Sequence, residues 1–204
     1  VANRENKGSS VGPPVLVKVG GGLAGIEGGL ASACAAVAAA ARRHPIVVVP
    51  GGGPFADAVR DFDRRHGLTA DAAHWMAILA MDQYAWALAE RIEGGVVVES
   101  AGEVSATLAG RGVPVLAPAA WMRAADVLPH AWDATSDSVA AFLAGALGAA
   151  ALVLIKPERG HLSALVDPCF AATLPLGLRS AALGAREAGR LPALIDELLA
   201  RGAA

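Results

Sequence analysis

Aromatic side chains are scarce in this chain, 4% of 204 residues, and only two cysteines occur. Cys34 and Cys169 stand far apart without metal-ligand spacing, which makes cytoplasmic thiols the simpler reading, although counting alone leaves one disulfide open. Lys and Arg are neither numerous nor gathered into a stripe, and the formal charge is -2, so the electrostatic footprint of a nucleic-acid binder is missing. No apolar run is long enough to cross a bilayer: Ala33 to Ala41 is closed off by Arg42, Arg43 and His44. The segment before Pro13 carries Arg4 and Lys7 and no apolar signal core, and reads as a disordered tail over residues 1–13. A soluble, cytoplasmic protein without a membrane or nucleic-acid partner is the expectation.

What the chain has in quantity is Ala and Gly within a 54% hydrophobic fraction, enough for one domain over residues 14–204 with close element packing. Val15 to Val19 and Ile46 to Val49 read as strands apolar on both faces, the pattern of a parallel sheet covered by helices. Between them Gly28 to Arg43 is a helix stopped by His44-Pro45. Pro54 opens a helix running to about His66, and Thr69 caps a long one from Ala70 to Arg91. Further strands are expected at Val96 to Val98, Val113 to Leu116 and Ala151 to Ile155, with helices at Gly102 to Gly110, Val139 to Leu147 and Leu191 to Leu199. The alternation predicts an α/β fold, a three-layer αβα sandwich on a mainly parallel sheet. Between Gly160 and Leu178, prolines break the pattern and no clear last strand follows.

Two glycine triplets sit at consecutive strand ends: Gly20, Gly21 and Gly22, and Gly51, Gly52 and Gly53. Either they only make tight turns, or they form a nest of backbone N–H groups that an anion can approach; two at neighbouring strand ends favour the nest. Neither triplet fits G-x-x-x-x-G-K-S/T, because Lys18 precedes its glycines, and neither gives a dinucleotide fingerprint. Lys18 ends an apolar strand face, where a buried ammonium needs an anion or carboxylate beside it; a lysine reaching past a strand edge to water is the alternative. Lys156 lies at another carboxyl strand end. Asp137 is either a first-turn helix acid or the organiser of one of the two lysines, and with Ser136 it could meet a magnesium–phosphate group through water. Two lysines with a carboxylate suit phosphoryl transfer, which demands positioning and charge stabilisation.

Other residues read less sharply. Asp57 and Arg60 stand one turn apart, as a surface pair or with Arg60 clamping a substrate anion. His74 with Asp71 and Asp82 makes a conceivable metal pair, but a hydrogen-bonded or solvent-facing histidine is the preferred reading. Trp75, Trp86, Trp121 and Trp132 read as core anchors. Neither cysteine has a base nearby to mark it as a nucleophile.

The stretches Val15 to Gly22 (VLVKVGGG), Val47 to Asp57 (VVVPGGGPFAD), Thr135 to Ala141 (TSDSVAA) and Ile155 to Gly160 (IKPERG) resemble the amino acid kinase family, the carbamate, acetylglutamate and uridylate kinase group. Residues 74–83 (HWMAILAMDQ) and 132–137 (WDATSD) are most similar to its small aminomethylfuran phosphate kinase branch, of methanofuran biosynthesis. The resemblance implies an open sandwich with the acceptor over about 14–130 and ATP with Mg2+ over about 131–204. It implies Lys18, Asp137 and Lys156 as catalytic, with Lys156 and Gly160 on the nucleotide side. The two triplets, Phe55, Asp57, Arg60 and Ser136 are implied on the acceptor side, and the closer branch implies an aminomethylfuran phosphate as acceptor. A homo-oligomer is implied, or a subunit that needs a partner. Arg159 stands where the family has an acid before its glycine, and Asp167-Pro168 is similar to the family's later Asp-Pro. A binding or regulatory relative without kinase activity is the second expectation.

Overall fold

The computed structural model describes residues 12–200; most of the expected N-terminal tail lies outside the described residues. β1 (Val15–Val19) leads through a 3-10 turn (Gly21–Gly25) into α1 (Gly29–Ala41), β2 (Ile46–Pro50), α2 (Gly53–His66) and α3 (Ala70–Ala89). β3 (Gly95–Val98), α4 (Ala101–Ala109), β4 (Val113–Leu116) and α5 (Ala119–Ala125) complete the first part. α6 (Ser136–Ala146), β5 (Ala151–Lys156), α7 (Leu162–Leu165), α8 (Phe170–Thr173), β6 (Arg179–Gly184), a second 3-10 turn (Ala185–Arg190) and α9 (Leu191–Ala200) follow. The strands form one sheet in the order β3-β4-β2-β1-β5-β6, every described pairing parallel, flanked by helices on both faces as the alternation predicts.

Strand periodicity divides the core between the two faces. Val15, Val17 and Val19 join Val153 and Ile155 in a cluster closed by α1 and α9, while Leu16, Val47, Val49, Leu152 and Leu154 face α6. Each wholly buried Val or Leu contributes about 1.5–3 kcal/mol of transfer free energy. α3 serves both clusters, through Ile78 and Met81 in one and Tyr84, Ala85 and Leu88 in the other. Its start is fixed by Thr69, whose hydroxyl accepts from the Ala72 N–H at 3.2 Å. α4 begins with a reciprocal capping box between Ser100 and Glu103. Among the described residues no helix is long and apolar enough to cross a membrane.

Three expectations need correction. A last strand does exist: β6 pairs with β5 from Ala151↔Arg179 to Lys156↔Gly184. Its sequence, RSAALG, is too small and polar to announce an edge strand, so the pairing supplies what β-propensity does not. The irregular stretch expected between Gly160 and Leu178 also holds two short helices, α7 and α8. Trp86 is no core anchor: it is 64% exposed on a face of α3 turned away from both clusters, and Trp132 is also exposed. Trp75 and Trp121, by contrast, pack partly buried against the α6-side core.

Candidate active site

Parity places the two lysines. Lys18 continues the Leu16 face of β1, and Lys156 the Leu152 and Leu154 face of β5. In the parallel register Lys18 lies opposite Leu154, so Lys156 reaches one pleat further along the same face. Asp137, in the first turn of α6, comes down onto that face between them. Lys18 Nζ donates to its Oδ1 at 2.8 Å and Lys156 Nζ to its Oδ2 at 2.5 Å. All three side chains are buried. Asp137 therefore organises both lysines, where the sequence left open which one it would hold.

The group carries two ammonium charges against one carboxylate. Burial pushes the Lys18 ammonium below its ordinary value; Asp137 pulls the other way, and the like charge of Lys156 adds to the lowering. Burial alone would raise the Asp137 carboxyl, yet the two ammoniums together hold it below the usual carboxylate range. Both of its oxygens are taken by lysines, which leaves it poorly suited as a direct metal ligand. No group of three or more metal-ligating side chains occurs among the described residues. A net positive, desolvated strand end next to glycine turns fits the phosphates of a nucleotide carrying its own Mg2+.

The two triplets interlock. A Cβ on Gly21 would fall 2.3 Å from the Gly53 nitrogen, and one on Gly51 2.4 Å from the Gly21 nitrogen, so the turns after β1 and β2 touch backbone to backbone. Their outer members extend the sheet ladder: Gly20 N–H donates to Ile155 O and Gly51 N–H to Val19 O. Gly21, Gly22, Gly52 and Gly53 line the cavity instead. The last pair opens α2, a helix whose first N–H groups lack intrahelical partners and whose dipole is positive there.

Asp167 is the residue beside the site whose structural weight the sequence hid. Its Oδ2 accepts from Thr135 N–H (3.1 Å), Thr135 Oγ1 (2.7 Å) and Ser138 N–H (3.1 Å). Its Oδ1 accepts from Ser138 Oγ (2.5 Å) and Cys169 N–H (3.0 Å). Thr135 Oγ1 in turn caps α6 by accepting from Asp137 N–H at 3.3 Å. Asp167 so fixes the helix end that carries Asp137. The signal available in sequence was Asp-Pro downstream of a T-S-D-S run, which names the residue without its partners.

A cavity of about 500 Å³ opens from the lysines toward α2, α3 and residues 128–139. Lys18, Asp137, Lys156, Ser136, Asp57 and Arg60 all line it, with the four inner glycines. Gly20 and Gly51 stand just behind that lining, whereas Phe55 and Gly160 are not part of it: Phe55 packs near Tyr84 (ring centroids 6.4 Å) and Gly160 near Leu165. Arg60 bonds Asp57 at 2.9 Å and also lies 4.9 Å over the Trp132 ring, so both sequence readings of Arg60, surface pair and cavity cation, describe the same side chain. Trp132 Nε1 donates to Asp63 at 2.9 Å, tying the cavity rim to α2. His74 does not meet Asp82, which accepts from Ala119 N–H; it stacks on His130 at 4.1 Å. Arg159 is exposed and reaches Glu187 at 3.4 Å.

The description "Amino acid kinase family" matches residues 13–160, nearly three quarters of the chain. The chain belongs to the amino acid kinase family. This amino acid kinase family chain is 29% identical over 98 residues to [5-(aminomethyl)furan-3-yl]methyl phosphate kinase of Methanocaldococcus jannaschii, a match covering 48% of this chain and 45% of that one. It thus spans about half the length of that curated relative. Two solved structures share the fold, each with a TM-score of 0.54. Uridylate kinase from Archaeoglobus fulgidus is 19% identical, covering 73% of this chain and 65% of that one. UMP kinase from Ureaplasma parvum is 14% identical, covering 72% and 67%.

Proposed function

We propose that the cavity is the active site of an ATP-dependent kinase acting on a small phosphorylated or acidic metabolite, with an aminomethylfuran phosphate as the first candidate. The observation that carries this reading is the single carboxylate of Asp137 holding Lys18 and Lys156 side by side at strand ends next to the interlocked glycine turns. The excess positive charge is fixed before substrate arrives, and is available to charge developing on a transferring phosphoryl group without reorganisation. An oxygen of the acceptor forms the new bond to the γ-phosphorus while the bond to the β,γ-bridging oxygen breaks and ADP leaves. With both Asp137 oxygens occupied, this carboxylate takes no proton from the nucleophile. An acceptor that is already an anion, a phosphate or a carboxylate, needs none taken.

The acceptor occupies the side built by α2 and α3, where Arg60 and the relative's substrate class both favour an anionic small molecule. The nucleotide approaches from the β5–β6 side with its Mg2+, Lys156 being the residue common to both. Mg2+-dependent ADP release tests the reading, with [5-(aminomethyl)furan-3-yl]methyl phosphate in a panel of phosphate monoesters and carboxylates, alongside calorimetric titration with ATP·Mg. One ADP per phosphorylated acceptor is the expected result. Acceptor binding without ATP binding overturns it in favour of a binding or regulatory relative.

A further inference from the structure

One face of α3 forms a wall of the cavity through Ala70, Ala73, His74, Ala77, Ile78 and Met81, the spacing of a single helical stripe. The other five are apolar; His74 alone carries strong hydrogen-bonding atoms. It is 9% exposed, and no hydrogen bond ties its ring nitrogens to a described residue. An imidazole on the cavity wall with no side-chain partner of its own is available to a molecule that enters the cavity.

Its neighbour decides which kind. His130 stacks on His74 with ring planes 18° apart, and both His130 nitrogens face carboxylates, Nδ1 to Asp71 at 2.6 Å and Nε2 to Asp126 at 2.8 Å. Only a ring protonated on both nitrogens donates both bonds, so His130 is an imidazolium. The Trp75 ring stands nearly perpendicular to both histidine rings, with Arg123 over its face at 5.0 Å. Burial, then the adjacent His130 charge, keep His74 below the ordinary histidine value, against the weaker pull of Asp126 and Asp71. The neutral ring is thereby favoured, with one lone pair and one N–H to offer.

We infer that His74 is an acceptor-positioning residue, whose unpaired ring nitrogen accepts a hydrogen bond from an amine or hydroxyl on the body of the phosphoryl acceptor. The inference rests on the kinase reading for the word acceptor, and on the α3 wall for the rest. The phosphate end of such a molecule is drawn to the lysines by charge; its donor group on His74 then fixes the rotation of the body within an otherwise apolar slot.

The test uses three probes: [5-(aminomethyl)furan-3-yl]methyl phosphate, its 5-hydroxymethyl analogue, and its 5-methyl analogue, which lacks the donor. In the unmodified protein, KM or the binding constant is expected to weaken by about tenfold from a donor-bearing probe to the methyl probe, the scale of one hydrogen bond, with kcat little changed. In His74→Phe the difference collapses, because the partner is gone. The stronger of the amine and hydroxyl probes identifies the donor. Imidazole 15N resonances supply a readout free of turnover: His74 is neutral at pH 6.5 while His130 is charged, and the His74 signals move on adding the aminomethyl probe. A His74 charged at pH 6.5, still signals with all three probes, or a discrimination that survives His74→Phe overturns the inference. Shifts at His74 without any ADP release uphold it and remove the kinase reading. ADP release with still His74 signals does the reverse.

Discussion

Gly51 and Gly21 are in backbone contact, so close that a methyl group on Gly51 would sit 2.4 Å from the Gly21 nitrogen. The glycine turns after β1 and β2 are thus one unit, and a side chain at either position must push the other away.

Gly51→Ala and Gly21→Ala are therefore expected to lower the unfolding free energy by about 1–3 kcal/mol, the scale of overpacking, and to reduce kcat/KM more than stability suggests, since a shift of about 1 Å at the phosphates misplaces the reacting groups. Gly25→Ala is the control: it lies in the same 3-10 turn with open space around its Cβ. Urea unfolding and steady-state kinetics on the three variants check the contrast. Equal effects at Gly25 and Gly51 would contradict it.

The charge count of the buried triad predicts an asymmetry between its members. Lys18→Ala leaves Asp137 paired with Lys156, a balanced pair, so turnover is expected to fall about 100- to 1000-fold with a modest loss of stability. Asp137→Asn strands two buried ammoniums and should cost about 3–5 kcal/mol, as removal of a buried ion's partner does. Denaturation midpoints with kcat at saturating substrates measure both, and unchanged turnover in Lys18→Ala would remove that lysine from the chemistry.

Asp167→Asn keeps shape but replaces one carboxylate oxygen by an N–H donor, facing donors that need an acceptor. It should lose about 1–3 kcal/mol and lower kcat through displacement of Asp137 rather than through any contact with substrate. Asp167→Glu, which retains both acceptors on a longer arm, should recover part of the stability. Thermal unfolding of the pair decides this; an Asn variant as stable and active as the parent would mean the α6 terminus holds itself.

The titration of the triad runs in two directions. Asp137 is held below its ordinary 3.8, so its stabilisation is complete above that value and is lost as pH falls through the folded value. Lys18 is held below 10.5; between its folded value and 10.5 the unfolded chain binds the extra proton, and stability rises with pH there. Activity runs the other way on the alkaline side, because the neutral amine no longer offsets phosphoryl charge, and its midpoint is expected below 10.5. Unfolding free energy and kcat against pH, compared with Lys18→Met, test both limbs; an alkaline limb that persists in the Met variant belongs to another group.

Strand parity and glycine placement were legible because they are local: short apolar runs, a lysine on the even face of β1 and of β5, and turns without side chains after β1 and β2. The same reading found Asp137 and placed the start of α6 within three residues. β6 escaped because its four intermediate-burial residues carry no alternation, and its strand character comes from pairing with β5. α5 escaped because its seven residues follow Pro118 with no capping side chain. Asp167 and the His74–His130 stack depend on contacts across 29 and 56 positions, which no window along the chain spans.

One carboxylate serving two ammoniums also has a consequence for how this active site can change over generations. Neither lysine has a private partner, so the effect of replacing one depends on whether the other is still present, and loss of Asp137 strands every buried ammonium still in place. The order of substitution matters: a lineage shedding catalysis reaches a quiet, well-folded binding protein by losing a lysine first, and passes through an unstable form if it begins at the aspartate.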